Sequence, residues 1–373
     1  MRTDRRQLFR QLGAAAVATA LLPSFGDAEV STEDSAARLV RLNYNESAYG
    51  PCEKARAAFR DSISDANRFP GDCVGNLVEA VAALHDVQPE NVTLGCGSSE
   101  LFRMAAEAWL APGKSIVTAS PTFDSIACAA RLIGAEVHSV PLTRVYAHDL
   151  DAMLARTDAT TGLIYVCNPN NPTGTLTPKA DVEGFLSRVP SGVPVLIDEA
   201  YHDYVAPTGA YASWARRAAA DPRLIVTRTF SKAYGLAGLR VGYAISSAET
   251  ARHLSARRLP MGVNLVAARA ALSALSDPGY LKKIVSLNSN DRQEFYNQAN
   301  ARMLRSLDSE TNFVLLAADR PGKEVAELLS AKGVLVGAGY PSFENYIRVS
   351  LGLPEDMQAF WRAWDASMPH HLM

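Results

Sequence analysis

Lys232 lies in a segment that is hard to reconcile with a free ammonium group. The segment RTFSKAYGLAGLRVGYAI, residues 228–245, is glycine-rich and mostly apolar, and Arg240 follows Lys232 by eight positions. Because a buried, unpaired ammonium is costly, such a lysine either extends to water or takes part in chemistry that alters its charge. An arginine and hydroxyl groups in the same loop suit a phosphate dianion.

Three further loops carry polar residues that could do chemistry. In LGCGSSE, residues 94–100, a glycine turn leads into a helix with a serine cap, whose free N–H groups could bind a phosphate. The turn NPNNPTG, residues 168–174, could hold an asparagine rigidly against a ligand. In VLIDEAYHDY, Asp198 ends an apolar strand as either a helix cap or the partner of a buried cation, and Tyr201 follows it. Each loop taken alone could be purely structural.

Alternating strands and helices are the elements that must position these loops. Apolar runs such as GLIYVC and VPVLID are typical of strands covered on both faces, and helical stretches such as SSELFRMAAEAWLAPG alternate with the strands. The alternation predicts an α/β fold, with a large domain that has a mostly parallel sheet between helices and a smaller α/β C-terminal domain. The loops fall at or near the strand ends where such sheets bind ligands.

The pattern changes near residue 259, after which a long helical stretch is predicted over 265–307. We therefore expect three parts after residue 28: an N-terminal arm with part of the small domain at 29–65, the large domain at 66–264 and the small domain at 265–373.

Composition argues against several functions. The chain of 373 residues has a formal net charge of −2, so it lacks the excess of positive charge that is typical of proteins that bind nucleic acid. Its five cysteines and seven histidines are scattered, without a CxxC pair, so neither a metal site nor a disulfide framework is predicted. Beyond residue 28 no segment is long and apolar enough to be predicted to span a membrane.

The N-terminal segment MRTDRRQLFRQLGAAAVATALLPSFGDA has the order of parts found in a signal peptide. The pair Arg5 and Arg6, a short apolar stretch and small residues before Ala28 resemble a twin-arginine export signal. We therefore expect a signal at 1–28 and a periplasmic or otherwise exported protein. The alternative is an amphipathic helix that belongs to the fold, in a cytoplasmic protein.

One cofactor, pyridoxal 5′-phosphate, accounts for all four loops. Lys232 would form a Schiff base with its aldehyde, which removes the buried charge. Asp198 would keep the pyridine nitrogen protonated, so that the ring can accept electrons. An asparagine of the turn at 168–174 and Tyr201 would hydrogen-bond the 3-oxygen, and Phe123 would stack on the ring.

The sequence resembles the fold-type I, class I/II pyridoxal-phosphate aminotransferases, and most of all their histidinol-phosphate aminotransferase branch. The resemblance runs from about Arg41 to the last helix and depends on NPNNPTG, DEAYHDY and TFSKAYGLAGLRVGY in this order. It implies that Lys232, Asp198 and Tyr201 are catalytic. The cofactor-binding residues that it implies are Ser98, Ser99, Phe123, Asn171, Asp198, Tyr201, Thr229, Ser231, Lys232 and Arg240.

The same resemblance implies the substrate contacts and the assembly. Arg348 in NYIRVSLG would bind the substrate α-carboxylate or its equivalent, together with Asn171 and with Tyr49 of the arm RLNYNESAYGP. Phe69 stands where that branch usually carries a tyrosine that reaches the partner subunit's cofactor phosphate, and a homodimer is expected.

The implied activity is transfer of an amino group between an amino acid or amine donor and a 2-oxo acid. The same scaffold and cofactor also support decarboxylation, racemisation or oxidation, because the orientation of the Cα bonds decides the reaction. A pyridoxal-phosphate-binding protein without turnover is a further alternative. Residue types and spacing do not name the amino donor or the acceptor.

Overall fold

The computed structural model describes residues 39–368, which contain two β-sheets flanked by helices. The predicted signal at 1–28 lies outside the described residues. The predicted boundary between a large and a small domain stays a prediction, because the chain from Leu39 onward groups into one compact unit. No helix within the described range is long and apolar enough to span a bilayer.

Eleven strands form the two sheets. They are β1 (Val40–Leu42), β2 (Val92–Gly95), β3 (Ser115–Ser120), β4 (Glu136–Pro141), β5 (Thr161–Cys167), β6 (Val195–Asp198), β7 (Leu224–Thr229), β8 (Gly242–Ile245), β9 (Phe313–Ala317), β10 (Val334–Tyr340) and β11 (Phe343–Ser350).

The seven-stranded sheet has the order β2-β8-β7-β6-β5-β3-β4, and only β8 runs antiparallel to its neighbours. The predicted mostly parallel sheet is therefore confirmed. Its register pairs Cys167 with Asp198 and Asp198 with Thr227. The carboxyl ends of three central strands thus meet side by side, in the place where open α/β sheets bind ligands.

Apolar residues on both faces explain why β5, β6 and β7 are buried throughout. Successive side chains of a strand point to opposite faces. Ile164 and Val166 accordingly join one hydrophobic cluster, while Leu163 and Tyr165 join another on the opposite face.

The four-stranded sheet, of order β1-β10-β11-β9, contains chain from both ends of the described range. Val40 at the N-terminal side pairs in parallel with Val334, while β11 runs antiparallel to both β10 and β9. Phe295, Phe360 and Trp364 belong to the cluster that covers this sheet. The segment that follows β1 is therefore anchored beside the C-terminal strands.

Twelve α-helices are described. They are α1 (Glu53–Ser62), α2 (Cys73–His85), α3 (Ser98–Trp109), α4 (Ser125–Ile133), α5 (Leu150–Ala155), α6 (Lys179–Arg188), α7 (Ala215–Ala218), α8 (Ala248–Ser255), α9 (Leu265–Leu275), α10 (Pro278–Ala301), α11 (Gly322–Ser330) and α12 (Pro354–Ser367).

The long helical stretch predicted over 265–307 is two helices, α9 and α10. The break follows from a new helix start, because the Asp277 side chain accepts a hydrogen bond from Tyr280 N at 3.1 Å and Pro278 occupies the first turn.

A buried ion pair joins the ends of β6 and β7. Arg228 Nη2 lies 2.7 Å from Glu199 Oε2, and both side chains are almost fully buried. Glu199 also accepts hydrogen bonds from Trp214 N at 2.7 Å and from the Ser213 hydroxyl at 2.8 Å. A buried charge pair is tolerated when its remaining polar atoms are also bonded, as they are here.

Candidate active site

A cavity of about 300 Å³ lies at the carboxyl ends of the central strands. Eleven of the residues predicted for the site line it: Ser98, Ser99, Phe123, Asn171, Asp198, Tyr201, Thr229, Ser231, Lys232, Arg240 and Arg348. Residues far apart in the sequence are thus brought together, at the edge of the sheet that the strand pattern indicated.

One end of the cavity is suited to a phosphate group. Helix α3 begins at Ser98, and its N-terminal cap is Gly97 without a side-chain cap, so the predicted serine cap is wrong. The first N–H groups of a helix have no partner within the helix, and they attract anions. Arg240 adds a guanidinium, which donates to the Ser231 hydroxyl at 3.3 Å.

The approach of Arg240 to α3 requires a glycine at position 97. Gly97 has a φ of 73°, and a Cβ added there would collide with the Arg240 guanidinium. Arg240 itself has a φ of 56°, in the left-handed region that a non-glycine residue rarely adopts. Backbone strain of this kind concentrates at functional sites, where the surrounding structure maintains it.

Asp198 is a buried carboxylate with four hydrogen-bond donors around it, one of which is the Cys167 thiol at 3.9 Å from Oδ2. Its Oδ2 accepts from the Tyr165 hydroxyl at 3.1 Å, and its Oδ1 accepts from Thr227 Oγ1 at 3.1 Å and Ala200 N at 3.2 Å. Burial raises the pKa of Asp198 to about 6, although the hydrogen bonds from Tyr165 and Thr227 oppose the rise. No α-helix follows Asp198 directly, because only a 3-10 turn forms over His202–Tyr204.

Tyr201 lies at the junction of two asparagines. Its hydroxyl oxygen accepts from Asn45 Nδ2 at 3.0 Å and from Asn171 Nδ2 at 3.3 Å. Burial raises the pKa of Tyr201, so the phenol keeps its proton at neutral pH. On another wall of the cavity, the ring of Phe123 lies 6.0 Å from that of Phe102.

The amine of Lys232 faces backbone oxygens and not a carboxylate. Its Nζ donates to the carbonyls of Tyr44 at 3.1 Å and Asn45 at 2.9 Å. Lys232 keeps intermediate exposure. Nevertheless burial, helped by the positive charge of Arg348, lowers the pKa of its amine to about 7. The amine can therefore both hold and release a proton near neutral pH.

Arg348 on β11 also lines the cavity. Its guanidinium donates to Asn171 Oδ1 at 2.6 Å and to the Asn43 carbonyl at 2.8 Å. The guanidinium carbon lies 5.4 Å from the Phe313 ring centroid and 5.3 Å from that of Tyr340. Its Nε has no hydrogen-bond partner among the described residues. A guanidinium held in place in this manner suits an anionic group.

Tyr49 is the predicted site residue that the structure does not place at this cavity. Its hydroxyl donates to Asp291 Oδ2 at 2.8 Å, and it borders a separate, much smaller cavity. Its proposed contact with substrate stays a prediction.

Five residues that line the cavity were not predicted: Tyr44, Asn45, Glu46, Ala200 and Ala237. The sequence indicated an arm at Arg41–Pro51, but no local pattern pairs position 45 with position 201. The one available signal is that asparagine tolerates the left-handed backbone which Asn45 adopts, with a φ of 53°.

Comparisons with known proteins show the family of the chain. Residues 37–363 match the family model for aminotransferase class I and II. The chain is 39% identical to the histidinol-phosphate aminotransferase of Moorella thermoacetica, over 90% of this chain and 87% of that protein. It is 41% identical to histidinol-phosphate aminotransferase 2 of Ralstonia nicotianae, over 89% and 90%. The crystal structure of the Sinorhizobium meliloti histidinol-phosphate aminotransferase in complex with pyridoxal-5′-phosphate matches with a TM-score of 0.83 at 28% identity, over 88% of this chain and 91% of that chain.

Fold and site together define a pyridoxal-phosphate enzyme of fold type I. The chain belongs to the class I and II aminotransferase family, and it is a pyridoxal-phosphate-dependent aminotransferase. The residues present fit the cofactor, since Gly97 lets Arg240 approach the start of α3 and Asp198 lies in the same cavity as Lys232. The prediction of an aminotransferase, made over a decarboxylase, racemase, oxidase or non-catalytic protein, is confirmed.

The predicted periplasmic or exported location is wrong. The similar proteins are named histidinol-phosphate aminotransferases, and the match to them covers most of the chain. The residues read as a twin-arginine signal precede the matched region, which begins at residue 37. An arginine pair before a short apolar stretch is a brief pattern, so it carries less weight than a match over most of the chain.

The close approach of Arg240 generates a first prediction. Gly97→Ala should weaken the binding of pyridoxal phosphate to the cofactor-free protein by about 10- to 100-fold, because a Cβ displaces the guanidinium from a charge-assisted contact. Absorbance titration measures this. Gly113→Ala is the matched control, since Gly113 also has a positive φ, of 82°, but open space around it. Equal affinity of the two variants would contradict the explanation.

The raised pKa of Asp198 generates a second prediction. The pKa of Asp198 is about 6 in the folded protein against an ordinary value of 3.8, so keeping the carboxylate ionised costs the cofactor-free protein stability above pH 6. The stability of Asp198→Asn relative to the wild type should therefore rise by on the order of 3 kcal/mol between pH 4 and pH 8, with most of the change between pH 4 and pH 6. Urea denaturation at several pH values measures the difference. The exposed Asp61→Asn is the control, and a pH-independent effect of Asp198→Asn would contradict the assignment.

Proposed function

We propose that this aminotransferase moves the substrate proton with Lys232 and binds the anionic group of its amino donor with Arg348. One observation carries the proposal: the same cavity is lined by an amine whose pKa is about 7, a buried carboxylate and two arginines. An amine that titrates near the working pH is suited to general base and general acid catalysis.

The cofactor would be held by residues along the length of the cavity. When bound, pyridoxal phosphate supplies an aldehyde that takes up the amino group and a ring that accepts electrons from Cα. Asp198 would bind the pyridine nitrogen, Asn171 and Tyr201 the 3-oxygen, and Phe123 the ring face. The residues that would bind the phosphate are Ser98, Ser99, Thr229, Ser231 and Arg240.

Lys232 would take the proton from the donor Cα with its neutral amine and later return it. Burial and Arg348 support this role, because both favour the neutral form of Lys232. The carbonyls of Tyr44 and Asn45 would hold the amine when it is protonated. Tyr201 and Asn171 would keep their positions while the proton moves, since each is tied to neighbouring polar groups.

Arg348 would orient the donor through its carboxylate or phosphate. Its place in the cavity lining and its contacts with the rings of Phe313 and Tyr340 support this role. Histidinol phosphate is the donor indicated by the names of the similar proteins in Moorella and Ralstonia. The second substrate would be a 2-oxo acid, which accepts the amino group.

We also propose that the enzyme works as a homodimer. Large apolar side chains are unusually exposed at Phe69 (78%), Tyr44 (70%) and Met261 (60%). Burying such side chains against a second subunit would remove apolar surface from water. Sedimentation equilibrium tests the assembly, and a monomer at micromolar concentration would contradict it.

A third prediction concerns Lys232. Lys232→Ala should abolish the visible absorbance of the lysine-bound cofactor and nearly all conversion of a 2-oxo acid into an amino acid, while the fold is kept. One amine has to supply both the cofactor linkage and the base. Turnover with histidinol phosphate or L-glutamate as donor measures this, with the exposed Lys114→Ala as control. A near-wild-type rate in Lys232→Ala would refute the assignment.

A fourth prediction concerns donor recognition. Arg348→Ala should raise KM by about 10- to 100-fold for donors that carry a carboxylate or a phosphate, because a charge-assisted hydrogen bond is lost. Donors with no anionic group should show little change. Steady-state kinetics with both classes of donor provide the measurement, and the exposed Arg362→Ala serves as the control. If both classes lost activity equally, Arg348 would have only a structural role.

A further inference from the structure

Asn45, in the arm that follows β1, makes more polar contacts within the site than its place in the sequence suggests. It is almost completely buried, at 1% exposure, and has a left-handed φ of 53°. Its side chain contacts Tyr201, its backbone N–H contacts Ser350, and its carbonyl contacts Lys232 and Asn312. One arm residue thus contacts both the phenol and the amine of the site.

The orientation of the Asn45 amide follows from the hydroxyl of Ser350. That hydroxyl accepts from Asn45 N at 2.8 Å, so its single proton is available to donate to Asn45 Oδ1 at 3.1 Å. With Oδ1 facing Ser350, the Nδ2 of Asn45 faces the Tyr201 oxygen.

The orientation of Asn171 is fixed in the same manner by a cation. Arg348 can only donate, and its Nη1 lies 2.6 Å from Asn171 Oδ1. The Nδ2 of Asn171 therefore faces the Tyr201 oxygen as well, at 3.3 Å.

These two amides determine where the phenolic proton of Tyr201 can go. A phenol oxygen has two lone pairs and one proton, and both lone pairs are used by amide donors. The edge contact with Phe313, at 5.2 Å between ring centroids, restrains the Tyr201 ring. The proton of Tyr201 is left to donate into the cavity that this residue lines.

The backbone of Asn45 acts on Lys232. The Asn45 carbonyl accepts from Lys232 Nζ at 2.9 Å, and Asn312 Nδ2 donates to the same carbonyl at 3.1 Å. Asn312 also donates to the Glu46 carbonyl at 3.0 Å, which fixes the arm on the other side. A residue that tolerates left-handed backbone is needed to turn the carbonyl towards the amine.

We propose that Asn45 is a positioning residue that directs the proton of Tyr201 into the cavity and holds the amine of Lys232. This inference rests on the proposed function, because it requires the cofactor's 3-oxygen to lie against Tyr201. Neither the arm's place in the sequence nor the residue type assigns Asn45 this role.

The role has a consequence that can be measured in the cofactor-bound enzyme. A proton donated by Tyr201 offsets the negative charge on the 3-oxygen, which lowers the proton affinity of the nearby nitrogen that joins Lys232 to the cofactor. Without Asn45 the donation weakens, so that nitrogen should hold its proton to a higher pH. We expect the pH midpoint of the visible absorbance change to rise by about one unit.

Two substitutions of Asn45 distinguish the loss of its hydrogen bond to Tyr201 from the effect of an added charge. Asn45→Asp keeps the shape and the tolerance for positive φ, but it replaces the donor to Tyr201 with a carboxylate. Asn45→Gly keeps the backbone conformation and adds no charge. Both should raise the midpoint, whereas the exposed Asn297→Asp should not. Far-ultraviolet circular dichroism and thermal melting verify the fold, and Asn45→Gly provides the test if Asn45→Asp does not fold.

A double-mutant cycle with Tyr201→Phe decides whether Asn45 acts through the phenol. In that background the shift caused by Asn45→Gly should fall to less than a third. An equal shift in both backgrounds, or no shift in either variant at position 45, would overturn the proposal. Failure of the proposed function would look different, since the wild-type enzyme would then lack the pH-dependent absorbance or Lys232→Ala would retain it.

Discussion

The parallel register of β5, β6 and β7 is the constraint on which the rest of the site depends. It places Cys167, Asp198 and Thr227 side by side at one edge of the sheet, with apolar residues behind them on both faces. A carboxylate held there is cut off from water, and it must find its donors within the protein. Thr227 and Tyr165 provide two of them, and both belong to the neighbouring strands. The sheet therefore determines both the position and the electrostatics of Asp198.

Burial disfavours the charged forms of two ionisable groups in the site, Asp198 and Lys232. Burial raises the pKa of Asp198 to about 6 and lowers that of Lys232 to about 7. Both shifts cost stability in the protein without cofactor, because each group is charged in water at neutral pH. A bound pyridinium and a covalent linkage would relieve these two costs together. Such a cost is typical of residues kept for function, and stability elsewhere has to offset it.

Sequence reasoning predicted the parts of the site that depend on strand ends and missed those that depend on contacts across the fold. Apolar runs ending in polar loops located Asp198 and the turn at 168–174, because a strand and its end are local features. The prediction that a serine caps α3 was wrong because Gly97, with a φ of 73°, is the residue that precedes the helix. Asn45 was missed because its partner Tyr201 is 156 residues away. Only the folded chain reveals such a pair.

The four-stranded sheet would link substrate binding to proton transfer, because it carries Arg348 and anchors the arm that contacts Lys232. Strand β1 pairs with β10, and β10 pairs with β11, so the arm after β1 enters the site beside the strand that carries Arg348. Arg348 donates to the arm at the Asn43 carbonyl, while the arm holds Lys232 two residues further on. An anionic group that engages Arg348 would compete with that carbonyl for the guanidinium. The position of the arm, and with it the contacts of Lys232, is therefore expected to respond to whether the donor's anionic group is bound.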